Sequence, residues 1–126
     1  MKEQGIEILT SNKDDKTKMT EIFELAQDYF GDDGCMKGGV CQYQPDGKFD
    51  GCFVGVFLTP EEQKYFDNID ENGINAFLVY PSLPHDHVIK HLPVMFWIKG
   101  QDWHDSATPM KRRHRKKMLE EYIQDY

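Results

Sequence analysis

Cysteine is scarce and odd in number: Cys35, Cys41 and Cys52 cannot all pair within one chain, so a disulfide framework is not expected. No apolar run approaches the roughly twenty residues of a membrane-spanning helix. The opening MKEQGIEILTSNKDDK lacks the apolar centre of a secretory leader. A reducing, cytoplasmic setting is the expectation. Nucleotide-binding signatures are missing too. GDDGCMKGG is glycine-rich, yet it has no Lys-Ser/Thr ending, and Asp32 and Asp33 would repel a phosphate. There is no internal repeat.

Apolar residues make up 39% of the chain, but they include eight Phe and two Trp, with six Tyr beside them. Such a composition builds an aromatic core rather than a disordered chain. At 126 residues the expectation is a single domain, 1–126, in which 1–16 forms a flexible or edge arm.

Charge is unevenly placed. The formal net charge is −7, yet six of the seven residues from Lys111 to Lys117 are basic and none is acidic. The remaining chain holds nine basic against twenty-two acidic residues, a formal −13. Such a body repels a nucleic-acid backbone at long range, whereas the cluster attracts anions locally.

Periodicity predicts helices near 17–31, 60–70 and 109–125. Met19, Ile22, Phe23, Ala26, Tyr29 and Phe30 recur at spacings of three and four. Thr59, Pro60 and Glu62 form a capping box with proline at the first helical position. Thr108 and Pro109 open the last helix, with Met110, His114, Met118, Tyr122 and Tyr126 read as its apolar stripe, widened by Leu119 and Ile123. Between the first two helices, GGVCQYQPDGKFDGCFVGVFL reads as two strands about a Pro-Asp-Gly turn. GIEIL reads as a short strand or an ordered arm, NAFLVY as a strand and HDHVIKHL as two turns of helix, while VMFWI suits a buried strand or a buried helical turn. The fold expected is a small α+β domain, an antiparallel sheet packed by about three amphipathic helices.

Two separated segments resemble small uncharacterised phage and prophage proteins. In the first, Cys41, Tyr43, Gly47, Cys52 and Gly55 match a Cys-x-Tyr, glycine-turn and Cys-x-x-Gly strand region. In the second, Gln101, His104 and Asp105 match a Gln-x-x-His-Asp sequence before a C-terminal helix. The match departs from that pattern in the spacing from Gly47 to Cys52, at Val56 and at Gly100. The resemblance implies a viral or mobile-element origin, hence a host cytoplasm, and no particular reaction.

Metal chemistry offers Cys35, Cys41, Cys52, His87 and His91 as candidate zinc ligands. Their gaps of five and ten residues between cysteines form no Cys-x2-Cys knuckle. The alternative is that Cys41 and Cys52 are small buried residues. One of the three cysteines with His104 and Asp105 would be the residues for nucleophilic catalysis, but adjacent His and Asp need not orient each other. The balance points away from an enzyme. The candidate binding residues are Lys111, Arg112, Arg113, Arg115 and Lys116, whose positive charge at a helix start opposes the helix dipole. The function expected is that of a small acidic accessory protein acting through a protein partner, with a host factor as one candidate. A nucleic-acid-associated protein using the basic helix and a zinc-supported protein are the alternatives.

Overall fold

The computed structural model describes residues 1–31, 49–69 and 76–126. Among the described residues the regular elements are helices: α1 (Lys2–Leu9), α2 (Asp15–Phe30), α3 (Pro60–Ile69), α4 (Ala76–Ser82), α5 (Val94–His104) and α6 (Pro109–Asp125). Short 3-10 turns lie at Gly55–Phe57 and Val88–His91. No strand is present among them, so the expected α+β fold with its antiparallel sheet is replaced by a helical one.

The capped helices form where their caps stand. The Asp14 side chain accepts the Thr17 N–H at 2.7 Å and opens α2. That bond holds the Asp14 carboxyl below its ordinary range. At α3, Glu62 accepts the Thr59 N–H at 2.8 Å and Thr59 Oγ1 accepts the Glu62 N–H at 3.2 Å, a reciprocal capping box. Thr108 Oγ1 accepts the Lys111 N–H and opens α6.

The ends of α1, α2 and α6 are closed by cations from elsewhere. None of these three helices has a basic residue in its last turn. Instead, buried Lys18 donates to Leu9 O at the end of α1. Lys16 donates to Gln124 O at the end of α6, and Arg112 to Gly31 O just beyond α2. Each bond satisfies a carbonyl the helix cannot satisfy itself, with the charge at the favourable pole of the dipole. Gly31 leaves α2 at φ 60, a conformation glycine adopts without penalty.

The segment read as a strand, Cys52–Leu58, is buried at every position yet folds as tight turns through the centre of the helices. A continuous apolar run fits any fully buried segment, and length decides nothing at seven residues. Phe53 lies against Phe96 and Trp97, and Phe57 stacks edge-on to Trp97 at 5.4 Å. Two helices carry glycine where these rings approach. A Cβ on Gly5 of α1 would lie 2.6 Å from Phe57 Cζ, and one on Gly100 of α5 would lie 2.5 Å from Phe53 Cζ.

Other expectations are corrected in the same way. The N-terminal strand or arm is helix α1, docked through buried Gly5 and Leu9. The strand expected at NAFLVY is replaced by α4, which takes its last five residues, whereas for VMFWI the helical one of its two readings holds, opening α5. The resemblance to phage proteins rested on a strand region; Cys52–Leu58 is no strand, and Cys41, Tyr43 and Gly47 lie outside the described residues.

Candidate interaction face of the C-terminal helix

Helix α6 packs antiparallel along α5, joined to it by residues 105–108. Its buried positions are Arg112, Leu119 and Ile123, with Arg115, Lys116 and Tyr122 half-buried beside them. This corrects the stripe through Met110, His114, Met118, Tyr122 and Tyr126. At about 100° per residue, a spacing of exclusively four advances about 40° at each step and winds off any one face. The mixed spacing from Arg112 through Lys116, Leu119 and Ile123 stays on one side, and that side faces the protein.

The basic run therefore divides by role. Arg112 is 8% exposed; its guanidinium lies 4.2 Å from the centroid of the Trp103 indole and donates to Gly31 O at 2.8 Å. Arg115 donates to Asp102 O at 3.1 Å and to Ser106 Oγ at 3.4 Å, closing the end of α5. These two candidate binding residues are structural ties between helices. Lys111, Arg113 and Lys117 are exposed, and Lys116 is half-buried. Among the described residues none of these four forms a salt bridge.

Exposed apolar side chains share the outward side. Met110 is 73% exposed and Met118 is 42% exposed, with exposed His114 between them in sequence. On the helix these three positions lie within about 80° of one another, flanked by Lys111 on one edge and Lys117 and Arg113 on the other. The result is a methionine ridge between basic rims. Sequence reasoning placed the methionines inside and omitted Lys117. Leu119 and Ile123, which widened the expected stripe, are buried as read, and this branched pair one turn apart marks the inward face where the methionines do not.

The catalytic and metal candidates are differently situated. Cys52 is a free, buried thiol whose Sγ accepts the Gly55 N–H at 3.2 Å. Burial, with the Asp105 carboxylate adding to it, pushes this thiol well above its ordinary range, which disfavours the thiolate a nucleophile or zinc ligand requires. His104 is buried against the Phe30 ring at 4.2 Å, with Nδ1 3.8 Å from Asp105 Oδ1. His87 Nε2 lies 3.1 Å from Glu62 Oε1 while its Nδ1 accepts the Ile89 N–H. His85 and His91 are exposed. Among the described residues no three His, Cys, Asp or Glu side chains are placed to hold a metal ion. Cys35 and Cys41 lie outside those residues.

Among the described residues no helix is long and apolar enough to cross a membrane. No protein-family model, curated protein or solved structure matches the chain, so the resemblance to phage proteins finds no support in these comparisons either.

Proposed function

We propose that this protein is a non-catalytic binding protein that docks an acidic protein partner on the outward face of α6. The observation that carries this reading is the methionine ridge, Met110 and Met118, set between Lys111, Arg113 and Lys117, which form no salt bridge among the described residues. Three such cations supply attraction and fast encounter. Two flexible, polarizable methionines supply adaptable apolar area; full burial of an exposed methionine contributes about 1.5–3 kcal/mol, and Met118, already more than half covered, gains less than Met110. A partner groove with an apolar floor and acidic rims complements both features. A nucleic-acid backbone complements the cations but leaves the methionines without a matching surface, and the −13 body disfavours its approach. A reducing cytoplasmic setting suits the free Cys52 thiol.

The test is affinity capture with the wild-type chain and two outward variants, Lys111→Gln/Lys117→Gln and Met110→Ser/Met118→Ser. The captured protein is then identified by mass spectrometry and titrated in purified form. The reading expects an acidic partner whose affinity falls about tenfold or more in each variant. A partner indifferent to both variants overturns it. Tight retention of duplex DNA with steep salt dependence, lost in the lysine variant and kept in the methionine variant, replaces it with the nucleic-acid reading.

A further inference from the structure

Helices α2 and α6 meet over a shorter stretch than α5 and α6 do. Near the end of α2 and the start of α6 they leave a cavity of about 470 Å³, lined by Gln27, Gly31, Trp103, Pro109, Arg112, Arg113 and Lys116. Among the described residues its lining carries three cations and no carboxylate, in a chain with twenty-two acidic residues. A second cavity between the same helices, of about 320 Å³, mixes charges instead, with Lys16, Glu24 and Glu120 in its wall.

The three cations are not equivalent. Arg112 is fixed by Gly31 O and the Trp103 ring and forms a rigid wall. Arg113 and Lys116 form no salt bridge among the described residues, and neither side chain donates to a described group. They are available to an incoming anion. The first turn of α6 adds the positive end of its dipole on the same side. Two available cations and a helix start match the double charge of a phosphate monoester better than a single carboxylate, and the guanidinium fork of Arg113 fits phosphate oxygens. Trp103 and Pro109 add apolar wall on which a ring can rest. The volume lies within the range of roughly 300–1,000 Å³ typical of small-molecule sites.

We infer that the cavity between α2 and α6 binds a small phosphate monoester, with Arg113 and Lys116 holding the phosphate and the Trp103–Pro109 wall holding its organic part. This site adjoins the methionine ridge, with exposed Arg113 on the edge they share, and lies to its inward side through half-buried Lys116 and buried Trp103.

Adenosine monophosphate serves as the probe and adenosine as its uncharged counterpart, titrated at matched ionic strength with resonances followed by NMR. Saturable shifts are expected at the Trp103 indole, Gln27 and the backbone amides of Arg113 and Lys116, for the monophosphate alone. Arg113→Gln/Lys116→Gln should weaken binding about tenfold or more, while Lys111→Gln/Lys117→Gln leaves it within about threefold. The first pair makes no tie to the described fold, so its loss of binding reads on the site, with unchanged circular dichroism as the control. Non-saturating shifts, equal shifts with adenosine, or equal affinity in both variants overturn the inference.

Discussion

Gln101 Oε1, projecting from α5, accepts the backbone N–H of Val54 at 3.1 Å inside the core. From the other side, buried Gln63 of α3 donates Nε2 to Gly55 O at 2.8 Å and to Asp50 O at 3.2 Å. Two glutamine amides thus supply part of the hydrogen bonding that a sheet would have given this buried segment. Gln101 is itself oriented by its Nε2 bond to Asp105 Oδ1.

Removing that acceptor leaves a buried N–H without a partner. Gln101→Leu is therefore expected to cost about 1–3 kcal/mol, read as a lower urea midpoint at unchanged slope. A midpoint equal to wild type would show that the amide bond is dispensable.

Adding a methyl group to Gly100 brings it into the Phe53 ring, whose other neighbours are Phe96 and Trp97. The ring has little room to retreat. Gly100→Ala should destabilise by about 1–3 kcal/mol despite alanine's better helix propensity. Equilibrium unfolding of this variant beside Gly5→Ala, which meets Phe57 in the same way, checks the claim at both contacts.

The readable and unreadable parts of this fold separate along physical lines. α3 and α6 announce themselves through the caps Thr59 and Thr108 with Pro60 and Pro109 at their starts; α2 does so through apolar periodicity from Met19, and it begins at Asp15 rather than near 17 because Asp14 caps it. Cys52–Leu58 does not, because strand and buried turn share an all-apolar pattern, and what decides between them is Gln101, 47 positions from Val54. The opening half of the expected hairpin, through Pro45, Asp46 and Gly47, lies outside the described residues. At the candidate site the charge cluster was legible. The division of its members was not, because Arg112 is explained by Gly31 and Trp103, neither of them a local neighbour.

Acid sensitivity should trace in part to Glu62. Burial pushes this carboxyl up, but the Thr59 N–H and the His87 side chain together outweigh it and hold the group below its ordinary 4.5. A depressed native value stabilises the fold above the unfolded value and loses that contribution as pH falls through the native one. Urea midpoints from pH about 6 down to about 3 should therefore fall more steeply for wild type than for Glu62→Gln. Parallel pH profiles would assign the acid sensitivity elsewhere.

The Cys52 thiol should be inert in the folded chain. It is 2% exposed, and its burial opposes ionisation. Iodoacetamide at neutral pH, followed by peptide mass mapping, should leave Cys52 unmodified in native protein and alkylate it fully in urea. Rapid native alkylation at this position would contradict its placement in the core.

The division of α6 into inward ties and an outward docking face is tested most directly by urea titration of two charge-matched variants. Arg112→Gln/Arg115→Gln and Lys111→Gln/Lys117→Gln each remove two positive charges from the same helix. The arginine pair should lose at least about 2 kcal/mol, through the bonds to Gly31 O, Asp102 O and Ser106 Oγ and the stack on Trp103. The lysine pair should stay within about 0.5 kcal/mol of wild type, as exposed positions do. Equal losses in the two variants, or a costly lysine pair beside a neutral arginine pair, would contradict the division.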